Sequence, residues 1–237
     1  MNVLITGHSS GIGAGLTKVL LAAGNHVLGL SKSRGAETHP NLYQENVDLQ
    51  NESEVSSALS RLVYEKLKKP DLIFLNAGVL GPIASLQDTK SEELQYVMQI
   101  NVWANKVILD WFLNHKLSPA QIITISSGAA IRGNFGWSSY ALSKSTLNML
   151  TQLYAHEFKN SHLLALAPGY VDTKMQSVLR TKSSSKFPSL KSLHQAHGTA
   201  HMPSPETIAY KIINNLAEFK KLKSGSYFDL RTTKSSG

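Results

Sequence analysis

The opening of the chain limits its fold more than any other stretch. Val3-Leu4-Ile5 is a short apolar run, Thr6-Gly7-His8-Ser9-Ser10-Gly11-Ile12-Gly13 follows it, and Leu16 to Ala23 then reads as a helix ending at Gly24. Strand, glycine turn and helix in that order form the first unit of a nucleotide-binding α/β fold. Glycines let the backbone approach a pyrophosphate, and the first N–H groups of the helix, which have no partners within it, offer that group a partial positive charge. Gly7, Ser9, Ser10, Gly11, Ile12 and Gly13 are therefore candidate cofactor-binding residues. The spacing Gly-x-x-x-Gly-x-Gly differs from the commoner Gly-x-Gly-x-x-Gly, so the flanking strand and helix carry the argument.

The rest of the chain repeats the alternation. His26 to Leu30, Leu42 to Val47, Leu72 to Leu75, Ile122 to Ile125, Leu163 to Ala167 and Ser226 to Leu230 read as strands, the last one before a polar tail. Helices are expected at Ser53 to Leu67, ending in Lys66, Lys68 and Lys69 before Pro70, and at Glu92 to Asn114, Ser139 to Phe158 and Pro205 to Phe219. Strands alternating with helices predict an α/β fold: one domain over residues 1–237, with a doubly wound parallel sheet of about seven strands and helices on both faces. Ligands sit at the carboxyl ends of such strands. After the second strand stands Ser31-Lys32-Ser33-Arg34. An acidic residue there would hold the 2′-hydroxyl of NAD, whereas a hydroxyl with basic neighbours accommodates the 2′-phosphate of NADP. Ser31 and Lys32 thus favour NADP(H) over NAD(H).

Chemistry is suggested by Tyr140-Ala141-Leu142-Ser143-Lys144. Residues four apart share one face of a helix, about 6 Å from each other, so an ammonium can lie beside the phenol and favour the phenolate. Tyr140 then suits general acid/base work on a carbonyl oxygen. A serine after the strand Gln121 to Ile125 could bond the same oxygen, and Ser127 is the candidate. Asn101, amid apolar neighbours in a long helix, reads equally as a satisfied core polar group or as a link in a proton relay.

Composition excludes other classes. With 42% hydrophobic and 17% charged residues, and no apolar run of about 20, no membrane span is expected. Met1 to Ile5 enters a strand without a basic leader, and cysteine is absent; both suit a cytoplasmic protein with neither disulfides nor thiolate metal sites, and no metal is expected. The net charge of +8 is C-terminal: 12 Lys/Arg face 4 Asp/Glu from Lys159 onward, and no acidic residue occurs from Thr173 to Pro205. This stretch reads as a long irregular lid at about 174–202, either a solvated loop or an attractor for an anionic substrate, the cofactor's phosphates or an acidic carrier protein. Nucleic acid is not expected, because the basic residues are not interleaved with aromatics.

Together these motifs resemble the short-chain dehydrogenase/reductase family over almost the whole chain. Thr6-Gly7-x-x-x-Gly11-Ile12-Gly13 is similar to its cofactor turn, Asp48 with Leu49 to its adenine contact, and Asn76-Ala77-Gly78 to its structural Asn-Ala-Gly. Leu75 replaces the asparagine that often precedes that motif. Asn101, Ser127, Tyr140 and Lys144 fall where the family has its catalytic tetrad, and Pro168-Gly169-x-Val171-x-Thr173 is similar to the segment meeting the nicotinamide carboxamide. Ser127-Gly128-Ala129-Ala130, Gly136 to Tyr140 and Asp172 to Gln176 resemble the sepiapterin reductases and bacterial benzil reductases, and Asp229 matches the pterin-anchoring aspartate of the former. The resemblance implies NADPH-dependent reduction of a ketone or dicarbonyl, with Ser127, Tyr140 and Asp229 toward the substrate. It also implies that Lys144 bonds the nicotinamide ribose, that Asn101 holds a water serving Lys144, and that the chain forms a homodimer or homotetramer. Reduction of an acyl-carrier thioester and cofactor sensing without turnover are the alternatives.

Overall fold

The computed structural model describes residues 1–66 and 69–232. The expected helix end at Leu67 and Lys68, and the polar tail at 233–237, lie outside the described residues. Seven strands form one parallel sheet in the order β3-β2-β1-β4-β5-β6-β7: β1 (Asn2–Thr6), β2 (His26–Ser31), β3 (Leu42–Asn46), β4 (Leu72–Leu75), β5 (Gln121–Ile125), β6 (His162–Ala167) and β7 (Ser226–Asp229). The expected α/β fold class is the observed one.

Alternate strand residues point to opposite faces, and because helices cover both faces, both sets are apolar. Leu4, Leu28, Ile73 and Ile122 pack with α2 (Glu52–Ser60), α4 (Ala104–Asn114) and α5 (Ser138–Glu157) on one side. Val3, Ile5, Phe74 and Ile123 pack with α1 (Gly11–Ala22) and α8 (Pro205–Asn214) on the other. Local signals set the helix starts. Asn51 caps α2 by accepting from the Glu54 N–H at 3.2 Å, and Ser204 caps α8 by accepting from Thr207, with Pro205 in the first turn. A short helix, α9 (Leu216–Phe219), follows α8.

Two expectations are corrected. The helix expected from Glu92 to Asn114 is α3 (Ser91–Met98), a π-turn at Gln99–Trp103, and then α4. Asn101 lies in the π-turn, a local widening that hydrophobic spacing does not reveal. The basic stretch expected to be irregular contains α6 (Lys174–Arg180) and α7 (Leu190–Ala196). Leu179, Phe187, Leu190, Leu193 and Met202 are buried there, in a third apolar cluster that also takes in Leu80 and Tyr140.

The chain reverses its direction of travel across the sheet between β1 and β4. In doubly wound sheets the crevice at such a reversal, outside the carboxyl ends of the strands, is where ligands bind.

Candidate active site

One cavity of about 460 Å³ opens along those strand ends. Its lining gathers Gly7, Ser10, Gly11, Ile12, Ser31, Lys32, Asp48, Leu49, Asn76, Ala77, Gly78, Ser127, Tyr140, Lys144, Pro168, Gly169, Val171 and Thr173. Four expected site residues lie outside the lining: Ser9, Gly13, Asn101 and Asp229.

At the glycine end the backbone is packed as tightly as atoms permit. Gly7 has φ +66°, and a methyl on Gly13 would stand 2.1 Å from the Gly7 carbonyl oxygen. Gly13 therefore serves by closing the turn rather than by facing the cavity. The turn is tied to β4 through Thr6, whose hydroxyl accepts from the N–H groups of Asn76 and Ala77 at 2.9 and 3.0 Å. Among the described residues no side chain caps α1 at Ser10 and no acidic residue occupies its first turn. Its positive end thus faces the cavity at Gly11 and Ile12, which suits an anionic pyrophosphate. At the end of β2, Lys32 pairs with Asp48 at 2.8 Å. The pair is largely exposed, so it costs little to open and leaves the ammonium available to a 2′-phosphate. The Ser31 hydroxyl turns inward to the buried His8 Nδ1, at 2.6 Å.

The catalytic end lies over the carboxyl end of β5. Ser126 directs its hydroxyl to Asn148 Oδ1 at 2.5 Å, and Ser127, one residue on, lines the cavity with Tyr140. Ser126 also lines the cavity, but its hydroxyl is committed to Asn148. The Tyr140 ring is buried at 9% exposure. Burial raises its pKa above the ordinary phenol value, against a smaller lowering by a hydrogen bond with Ser127. Lys144 is 3% exposed, and burial lowers its pKa to about 8. Its Nζ donates to the Ile125 carbonyl oxygen at 2.7 Å and stands 5.8 Å from the Tyr140 ring centroid. The expectation that Lys144 lowers the Tyr140 pKa is therefore corrected. Both groups are desolvated, and the ammonium is aimed at a carbonyl rather than at the phenol.

Asn101 is fully buried. Its Oδ1 accepts from Val79 N–H at 2.8 Å, and its Nδ2 donates to the Val79 carbonyl at 2.9 Å and to Ser143 Oγ at 2.9 Å. The side-chain amide is thus spent on the protein. It fixes the Gly78–Val79 loop against Lys144, for a methyl on Gly78 would stand 3.2 Å from Asn101 Oδ1 and 3.4 Å from Lys144 Nζ.

The profile of the short chain dehydrogenases matches residues 1–184. The chain belongs to this family. A benzil reductase ((S)-benzoin forming) of Bacillus subtilis is 29% identical over 239 residues, covering 96% of this chain and 97% of the relative. A 3-oxoacyl-acyl-carrier-protein reductase of Rickettsia felis is 31% identical over 189 residues, 76% of each chain. Among solved structures, ElxO with NADP bound superposes with a TM-score of 0.80 at 24% identity, over 97% of this chain and 96% of that one, which shows a shared fold. Within the family, the likeness is to a benzil-reductase-like group.

Several residues of this short-chain dehydrogenase's site carried no signal in the sequence. Arg132 and Arg231 line the cavity, whereas Asp229, the expected substrate contact, turns its carboxylate to Arg231. A basic residue five positions after Ser127 and another beyond the last strand have no spacing that would relate them. His8, in the middle of the glycine turn, bonds Ser31 and Gln44 and so shapes the β2 end of the cavity from beneath. Among the described residues no helix is long and apolar enough to cross a membrane.

Proposed function

We propose that this short-chain dehydrogenase is an NADPH-dependent carbonyl reductase acting on a ketone or dicarbonyl. The observation that carries the reading is that Ser127, Tyr140 and Lys144 line the same cavity as the glycine turn and the uncapped end of α1. When bound, the cofactor supplies a hydride to the carbonyl carbon. Gly7, Ser10, Gly11 and Ile12 would hold its pyrophosphate, Lys32 its 2′-phosphate with Ser31 shaping that end through its hydrogen bond to His8, Asp48 and Leu49 its adenine, Asn76 to Gly78 and Lys144 its nicotinamide ribose, and Pro168, Gly169, Val171 and Thr173 its carboxamide. Tyr140 gives its proton to the oxygen as negative charge develops there. A phenol with a raised pKa holds that proton across the neutral range, as an acid must. Ser127 donates a hydrogen bond to the same oxygen and is held in place by the Ala129 N–H, which donates to its Oγ at 3.1 Å. Asn101 positions the loop against which Lys144 packs. Residues 174–202 form the lid, whose α6 and α7 exclude water from above Tyr140.

A second reading, reduction of an acyl-carrier thioester, is favoured by the likeness to the Rickettsia felis reductase and by the basic lid. For assembly we infer a homodimer or homotetramer through α4, with Trp103 just before it, and α5; Trp103 is 40% exposed, and Met149 and Leu153 on α5 are 54% and 55% exposed.

The deciding experiment is cofactor oxidation by the purified protein, NADPH against NADH, with benzil, sepiapterin and an acetoacetyl thioester. Turnover of benzil or sepiapterin with NADPH supports the first reading, and turnover of the thioester alone supports the second. Tight NADPH binding without turnover of any of them would leave a sensor.

A further inference from the structure

Charge in the cavity is arranged in a way that a neutral dicarbonyl does not require. Among the described lining residues the acidic one is Asp48, paired with Lys32 at the β2–β3 end. At the other end, beyond β5 and β7, two guanidinium groups converge on Gly128: a methyl placed there would stand 3.5 Å from Nη2 of both Arg132 and Arg231. Gly128 follows Ser127, and Ser127, Arg132 and Arg231 line the same cavity.

A single carboxylate answers the two. Arg231 gives Asp229 two hydrogen bonds, Nε to Oδ1 at 2.9 Å and Nη2 to Oδ2 at 2.5 Å, which leaves three of its five N–H donors unspent on that carboxylate. The Arg132 guanidinium reaches Asp229 Oδ2 only at 3.9 Å, beyond hydrogen-bond length, and its side chain makes no hydrogen bond among the described residues. The Asp229 side chain is 12% exposed and does not line the cavity, whereas the arginine side chains are 48% and 41% exposed and do. Arg231 is also held in place: a methyl on Gly169 would stand 3.0 Å from its Cγ and Cδ, and its guanidinium lies 5.8 Å from the Tyr170 ring centroid. The site therefore presents a net positive charge on a braced, planar fork suited to a carboxylate. Ala129, Trp137 and Leu193 supply apolar wall nearby.

We propose that the carbonyl substrates of this enzyme carry a carboxylate next to the reacting carbonyl, gripped by Arg132 and Arg231, with Asp229 as the counter-ion that orients Arg231. The substrate class is then a 2-oxo acid with an apolar substituent. The inference rests on the carbonyl-reductase reading above. In the reaction the carbonyl carbon gains the hydride with both electrons from the reduced cofactor, the π pair passes to oxygen, and oxygen takes the Tyr140 proton. The ketone becomes a 2-hydroxy acid, the cofactor is oxidised and the carboxylate keeps its charge.

The test compares phenylglyoxylate, its methyl ester and benzil as substrates with NADPH, for the wild-type protein, Arg132→Gln and Arg132→Lys, each checked for an unchanged thermal melt. The wild type is expected to favour the acid over the ester in kcat/KM, and Arg132→Gln to cut the acid-to-ester ratio roughly 10-fold or more, through KM rather than kcat. Arg132→Lys should recover part of the loss. Preference of the wild type for the ester, or an equal effect of Arg132→Gln on acid and ester, would overturn the anion site while carbonyl reduction stands. Failure of all three substrates would overturn the reduction reading and this inference with it.

Discussion

Lys144 aims its ammonium at the Ile125 carbonyl oxygen, 2.7 Å away, and not at the phenol of Tyr140 one helical turn before it. Burial lowers the pKa of this lysine to about 8. Its charge is thus present below pH 8 and lost above it, unlike that of a solvated lysine. In the proposed reduction Tyr140 acts protonated and Lys144 holds the nicotinamide ribose as a cation, so kcat/KM for reduction should fall as pH rises through about 8. A pH–rate profile flat from 7 to 10 would remove Lys144 from the titrating role.

Tyr140→Phe keeps the ring in its apolar cluster and removes only the hydroxyl that carries the proton. Turnover should drop by roughly 10²–10⁴-fold while NADPH affinity, measured by fluorescence titration, stays close to that of the wild type. Retained turnover would assign the acid to another group.

Asn101→Leu fills similar space but strips the side-chain partner from the part-buried N–H and carbonyl of Val79, while Ser143 Oγ keeps its hydrogen bond to the Tyr140 carbonyl. Each group so left costs roughly 1–3 kcal/mol, which should appear as a lower urea midpoint. NADPH should bind more weakly as well, because the Gly78–Val79 loop loses its brace.

Gly13→Ala places a methyl 2.1 Å from the Gly7 carbonyl oxygen, a distance backbone atoms cannot yield to without moving. Denaturation should show a loss of at least roughly 1–3 kcal/mol, and NADPH binding should collapse even in protein that remains folded. Wild-type affinity in this variant would show that the turn does not hold the pyrophosphate.

Lys32→Glu sets a negative charge where the 2′-phosphate would lie and beside Asp48. The ratio of kcat/KM for NADPH over NADH should fall roughly 10-fold or more. An unchanged ratio would pass the discrimination to Arg34, which is exposed on the same loop.

What the chain discloses in one dimension follows from the range of the physics. The glycine turn and the Tyr140–Lys144 pair are local, set by backbone conformation and by the 3.6-residue period, and both are readable from spacing. The sheet follows from alternating apolar runs. The direction of the Lys144 ammonium depends on a carbonyl 19 residues earlier, and the convergence of Arg132 with Arg231 depends on β5, β6 and β7 lying side by side. No pattern within either segment encodes that meeting. The lid illustrates a different gap: its serines and lysines read as loop, yet Leu179, Phe187, Leu190 and Leu193 bury enough surface together to hold two short helices in place.

Tyr140 shares its apolar cluster with Leu190, Leu193 and Ala196 of α7, and burial is what raises its pKa. While the helix is seated, water is kept from the phenol and the proton stays where reduction needs it. If residues 174–202 act as the proposed lid, lifting α7 to release product would wet the phenol and let it refill from solvent. Traffic of substrate and traffic of protons then share one door, and a lid substitution that changes how fast it swings will change the pH profile as well as the rate.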